Sequence, residues 1–179
     1  MLRSLMFCAG LLLPFSVFAN SIALTGTAVP PALMAQTERL GELLRDPWAS
    51  VPPKSVRAQL VPEYNLALVV FSVTGWGGGN NFTDHLAVFH TVPADNGQIR
   101  YMLADTLEIG GKGLRSVDTL HASVQTGKDS DSLLIYVPAK ANQPGDASNF
   151  PSKPVTLTFR LQNQRLTLLA PKKPPEQTR

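Results

Sequence analysis

Leu66-Ala-Leu-Val-Val-Phe-Ser-Val73, then Leu86-Ala-Val-Phe-His-Thr-Val92, Asp95-Asn96-Gly97 and Ile99-Arg-Tyr-Met-Leu103 decide the fold of this 179-residue chain. The first run is apolar at both parities, as a central strand covered on each side requires. The second and third alternate apolar with polar or small residues, and Asn-Gly between them supplies positive φ cheaply, so they form a hairpin. Further on, Val155, Leu157, Phe159 and Leu161 alternate with Thr156, Thr158 and Arg160, and Asn163-Gln164 turns that strand into Arg165 to Leu169. Short connections imply antiparallel neighbours, because parallel pairing needs crossovers of about a dozen residues. The fold class expected is mainly β (α+β): an antiparallel sheet or sandwich of seven to eight strands preceded by one amphipathic helix.

That helix is read over residues 31 to 45. Leu33, Met34, Leu40, Leu43 and Leu44 share one face, Pro31 suits the first turn and Asp46-Pro47 stops it. Gly41 inside it weakens the helix, which must then lean on a neighbour. Trp48 and Val51-Pro52-Pro53-Lys54 continue as an irregular connector. Leu114 to Thr126 reads as one long strand, with a bulge because Val117 and Leu120 differ in parity. Gly127 to Asp131 is a turn, Leu133 to Val137 another doubly covered strand, and Lys140 to Lys153 the one long polar gap.

The first residues carry Arg3, an apolar stretch from Leu5 to Phe18, and Val17-Phe18-Ala19, which is the pattern of a secretory signal peptide cut after Ala19. The apolar run is shorter than the roughly 20 residues a spanning helix needs and contains Pro14, so no stable membrane anchor is expected. The single cysteine, Cys8, falls in this leader and follows Phe7, which does not suit lipidation. A thiol-free mature chain favours a bacterial periplasm over an oxidising eukaryotic route. The domain plan is then residues 1–19 as signal peptide, 20–55 as an N-terminal segment with the helix and connector, 56–170 as the β domain, and 171–179 as a disordered basic tail. Without Arg3 there remain 15 Lys and Arg against 13 Asp and Glu, a balance that makes no case for nucleic acid.

Gly75-Trp76-Gly77-Gly78-Gly79-Asn80-Asn81-Phe82 follows a strand as a phosphate loop does, but it lacks the Lys and hydroxyl residue that open a helix. It reads either as a flexible hairpin connection or as a recognition loop with Trp76 and Phe82 as exposed aromatic anchors. His85 and His90 are five apart on one strand and point to opposite faces, so they cannot share a metal. His90 shares the parity of Leu86 and Val88, which places it as a hydrogen-bonded core histidine. Asp129 and Asp131 lack the rest of a calcium loop, Asp105 and Glu108 differ in parity, and no serine-elbow or His-Glu-x-x-His pattern occurs. No metal and no cofactor is called for.

Gly78-Gly79-Asn80-Asn81, Leu86-Ala87-Val88-Phe89, Gly110-Gly111-Lys112-Gly113 with Arg115, and Asp146 followed by Pro151-Ser152-Lys153-Pro154 with Phe159 and Leu166 resemble small exported bacterial proteins of unknown function. Several of those carry a cysteine pair just before the Pro-Ser, where this chain has Asn149-Phe150. The resemblance implies export and a shared β fold, and no activity. The leading functional expectation is a non-catalytic periplasmic module that binds another protein, as an inhibitor or immunity protein capping a toxin or envelope enzyme does. Trp76, Asn80, Asn81 and Phe82, with Lys112 and Arg115, are its candidate contact residues. Two alternatives compete: a hydrolase of envelope polymers in which Asp84, His85, Asp105, Glu108 or His121 converge, and a structural envelope component.

Overall fold

A computed structural model describes residues 22–25, 28–129 and 131–170; the expected leader and the 171–179 tail lie outside the described residues. In chain order the elements are β1 (Ile22–Thr25), α1 (Pro31–Leu44), β2 (Arg57–Val61), β3 (Leu66–Thr74), β4 (Phe82–Pro93), β5 (Ile99–Gly111), β6 (Arg115–Ser116), β7 (Ser123–Thr126), β8 (Ser132–Ala141), β9 (Lys153–Gln162) and β10 (Arg165–Leu169). The ten strands form a single open sheet in the order β1-β2-β3-β4-β5-β6-β8-β9-β10, with β7 added on β8. Every pairing is antiparallel. The mainly β class with one leading helix is as the sequence implies; the strand count is higher. β1 and β6 are too short to show a period of two, and β7 is hidden inside a stretch that is not one strand.

The sheet curls on itself, so β3 and β4 are covered on both faces. Leu66, Leu68 and Val70 of β3 with Leu86 and Val88 of β4 face inward, against Ile135, Val137, Leu157, Phe159, Leu161 and Leu166 of β8 to β10. Ala67, Val69, Phe71 and Val73 with Ala87 and Phe89 face the other way, against Leu33 and Leu40 of α1 and Val56. Burying side chains of this size stabilises by about 1.5–3 kcal/mol each, and β3 supplies them on both sides of its pleat. The curl brings β10 to β5 without completing a ladder: Leu166 N–H donates to Asp105 Oδ2 at 2.8 Å. In α1, an added Cβ on Gly41 meets Val51 Cγ2 at 2.2 Å. The glycine that costs helix propensity is what lets the connector pass.

Two local expectations need correcting. Leu114 to Thr126 is not one strand but β6, an irregular crossing and β7. Val117, Leu120 and Ala122 are all buried in the inner core, a spacing no strand offers, and Gln59 holds the crossing there. Its amide donates to Ala122 O and accepts from Ala122 N–H, both at 2.7 Å. The β4–β5 hairpin turns at Asp95-Asn96-Gly97 as expected: Ala94 N–H donates to Gln98 O and Gly97 N–H to Ala94 O, with positive φ at Gly97. The buried histidine is His85, 7% exposed, while His90 is half-buried. The two do lie on opposite faces, since His85 stacks on Phe71 of the helix-side layer and His90 sits opposite Leu66 of the inner one. The Asn163-Gln164 turn, with φ of 50° and 58°, and the helix are as expected.

Candidate functional site

Four connections meet at the end of the sheet where β3, β5 and β8 finish. Ser50 and Thr74 bridge residue to residue, and Gly77 N–H donates to Asp46 Oδ2 at 2.9 Å, which ties the connector after α1 to the β3–β4 turn. Lys112 N–H donates to Phe82 O at 3.2 Å. Gly113 N–H donates to Ser148 O at 2.7 Å and Asn142 N–H to Leu114 O at 2.9 Å, joining the β5–β6 turn to the loop of residues 142–152.

Two aspartates brace this end. Asp46 accepts from Trp48 N–H and Ala49 N–H through Oδ1 as well as from Gly77, and those main-chain donors, Gly77 first, hold its carboxyl below the ordinary range. Asp146 accepts from Gln143 N–H and Ser152 N–H through Oδ2 and from the Ser152 hydroxyl through Oδ1. Its carboxyl is likewise lowered, by the Gln143 N–H first. The long polar gap is therefore a loop closed at its neck by an Asp-Ser clamp.

The glycine-rich turn is built as a hairpin connection, with positive φ at Gly75, Gly77 and Gly78. Trp76 is not an exposed anchor. Its indole N–H donates to Val73 O and Thr83 Oγ1, both at 3.1 Å, and its ring packs half-buried against the helix-side core. Phe82 is half-buried at the start of β4. Asn80 and Asn81 are exposed; Asn80 Oδ1 accepts from Lys112 Nζ at 2.6 Å, and Asn81 O from Gly75 N–H at 2.9 Å. The structure thus gathers Trp76, Asn80, Asn81, Phe82 and Lys112. Arg115 stands apart from them: its side chain lines a groove of about 360 Å³ with Val155, Leu157 and Leu168.

Sequence reasoning passed over the large apolar side chains that this end exposes. Trp48 is 73% exposed, Phe150 75% and Leu114 57%, one on each of three of the joined connections. Lone large apolar residues flanked by turn formers, Pro47-Trp48 and Asn149-Phe150-Pro151, were the available signal.

The candidate catalytic residues are dispersed by the pleat. Ser72 and Asp84 share the inner face, where the Ser72 hydroxyl donates to Asp84 Oδ1 at 2.6 Å. Burial pushes the Asp84 carboxyl up, and the Ser72 bond and the Arg57 charge offset this in part. His85 lies on the helix-side face, with Nε2 3.0 Å from Thr83 Oγ1. Burial holds its pKa below the ordinary value, and the charge of Glu108 opposes that. Thr83 Oγ1 also accepts from the Trp76 indole N–H, so this hydroxyl links the two rings. Asp105 is engaged by the Leu166 N–H. Among the described residues none of Asp84, His85, Asp105, Glu108 and His121 hydrogen-bonds to another, no three His, Cys, Asp or Glu are placed to hold a metal ion, and no helix is long and apolar enough to cross a membrane.

Comparison with protein-family models, curated proteins and solved structures gives no match.

Proposed function

We propose that the protein is a non-catalytic binding module that works after export and docks another protein through the loop end of its sheet. Trp48, Leu114 and Phe150 are the apolar anchors, with Asn80, Asn81 and Lys112 as polar surround. Trp76 holds the glycine-rich turn in place through its indole N–H. The observation that carries this reading is the exposure of those three large side chains on connections that are themselves braced by hydrogen bonds. Aromatic side chains dominate binding hot spots, and a braced loop loses little freedom on docking. An inhibitor or immunity protein that caps a toxin or envelope enzyme needs such a rigid, projecting surface and no chemistry of its own. The hydrolase reading loses support because Ser72 and Asp84 lie on one side of the β3–β4 layer and His85 on the other.

The test is capture of the partner from periplasmic extract by the immobilised exported chain. Trp48→Ala with Phe150→Ala leaves thermal unfolding unchanged and removes the captured protein. Capture at undiminished affinity by a folded double variant refutes the assignment.

A further inference from the structure

A different surface, at the opposite end of the sheet, carries an inference independent of the loop end. β5 pairs with β4 along its length, but on its outer side it meets β6 only at Gly111 and β10 first through Asp105. Its first five residues, Ile99 to Leu103, are therefore an edge. Ala94 N–H bonds to Gln98 O, and main-chain bonding alternates along an antiparallel pair. Arg100 and Met102, opposite Val92 and His90, consequently turn their main-chain groups toward β4, while Ile99, Tyr101 and Leu103 turn theirs outward. Among the described residues none of those outward groups is bonded elsewhere. Ile99, Met102 and Leu103 are 43%, 57% and 44% exposed and Arg100 is the one charged side chain of the five, so the edge carries neither the proline nor the cover that normally protects one.

We propose that this edge pairs with the same edge of a second copy of the chain, antiparallel about a two-fold axis at Tyr101. Charge selects that register. An axis at Arg100 sets two guanidinium groups directly opposite each other, which is destabilising, whereas an axis at Tyr101 sets Arg100 against Met102. It also sets Ile99 against Leu103, so all three outward-facing residues of each copy find outward-facing partners. A groove of about 350 Å³, lined by Ala32 and Gln36 of α1 and by Ile99 to Met102, runs beside the edge. It gives room to the Leu103 side chain of the second copy.

Sedimentation of the exported chain tests this, with Met102 as the probe because it is exposed and faces Arg100 across the proposed axis. The wild type shows reversible monomer–dimer association. Met102→Lys, which opposes two cations at two related places, weakens it by roughly 2- to 30-fold, and Met102→Glu tightens it. Amide exchange supplies a readout without substitution: protection at Ile99, Tyr101 and Leu103 rises with protein concentration, and protection at Arg100 and Met102 does not. A chain that stays monomeric at millimolar concentration overturns the proposal. So does a dimer equally tight in both variants, or protection that rises at none of the three amides.

Discussion

Gln59 is 2% exposed and pins the far end of the 117–122 crossing at Ala122, while Arg57 holds its near end by donating to Val117 O and Asp118 O. Replacing it with Leu keeps the volume roughly constant and removes both bonds to Ala122, so one main-chain N–H and one C=O are left buried without partners. Each such group costs about 1–3 kcal/mol, which gives about 2–6 kcal/mol for the pair. For a domain of this size roughly 2–4 °C of Tm follows each kcal/mol, so Gln59→Leu lowers Tm by at least about 4 °C in a calorimetric scan. Gln59→Glu sharpens the test. A protonated acid donates to Ala122 O and accepts from Ala122 N–H as the amide does; a carboxylate can only accept. Burial and the bond donated to Ala122 O both raise the folded pKa of such a glutamate above its unfolded value of about 4.3. Its stabilising contribution is then complete below that value and lost as pH rises through the folded pKa. The deficit of Gln59→Glu against wild type is small near pH 4 and wide at pH 8. A Gln59→Leu Tm within a degree of wild type, or a Gln59→Glu deficit that does not change with pH, refutes the claim that this amide pins the crossing.

Asp84 gives a second pH signature. Its carboxyl is raised above 3.8, with burial the largest cause, so its contribution is full below that value and lost as pH rises through the folded pKa. Asp84→Asn keeps an oxygen for the Ser72 hydroxyl and escapes the loss, so denaturant midpoints of the variant improve on wild type progressively from pH 4 to pH 7; a constant or shrinking difference contradicts the assignment. At the β5–β6 corner, a Cβ on Gly110 falls 2.5 Å from Arg115 O, whereas one on Gly97 meets open space at a φ of +77°. Gly110→Ala therefore costs about 1–3 kcal/mol through forced displacement of β6 and Gly97→Ala about 1–2 kcal/mol through backbone strain alone, so amide exchange in β6 rises in the first variant and not in the second; unchanged β6 exchange in Gly110→Ala would count against it.

The resemblance to exported proteins drew on Gly110-Gly111 and on Asp146 with Ser152, and each has a structural task here. Gly110 permits the close passage of β6, and Asp146 clamps the neck of the 142–152 loop through Ser152. These residues shape the end of the sheet on which the proposed binding surface stands, so their presence in a sequence speaks for a fold before it speaks for an activity. Trp76 carries the same lesson. An aromatic residue between glycines invites reading as an anchor, yet its ring fills a gap beside the core and its indole N–H is spent on Val73 and Thr83.

By itself the sequence determined whatever depends on neighbours along the chain. β3 had to be central because Leu66 to Val73 is apolar at both parities, α1 had to end before Asp46-Pro47, and Asn163-Gln164 had to turn, because period, propensity and backbone sterics act over a few residues. Only the tertiary structure decided what depends on residues far apart. Ala122 is buried because Gln59, in another strand, holds it, and no local pattern encodes that bond. Ile99 to Leu103 is an edge because the sheet curls so that β10 reaches β5 only from Asp105 onward. Trp48, Leu114 and Phe150 come to one end because three separate connections are hydrogen-bonded there. Burial and exposure are settled by what packs across a gap, and that partner is set by the path of the whole chain.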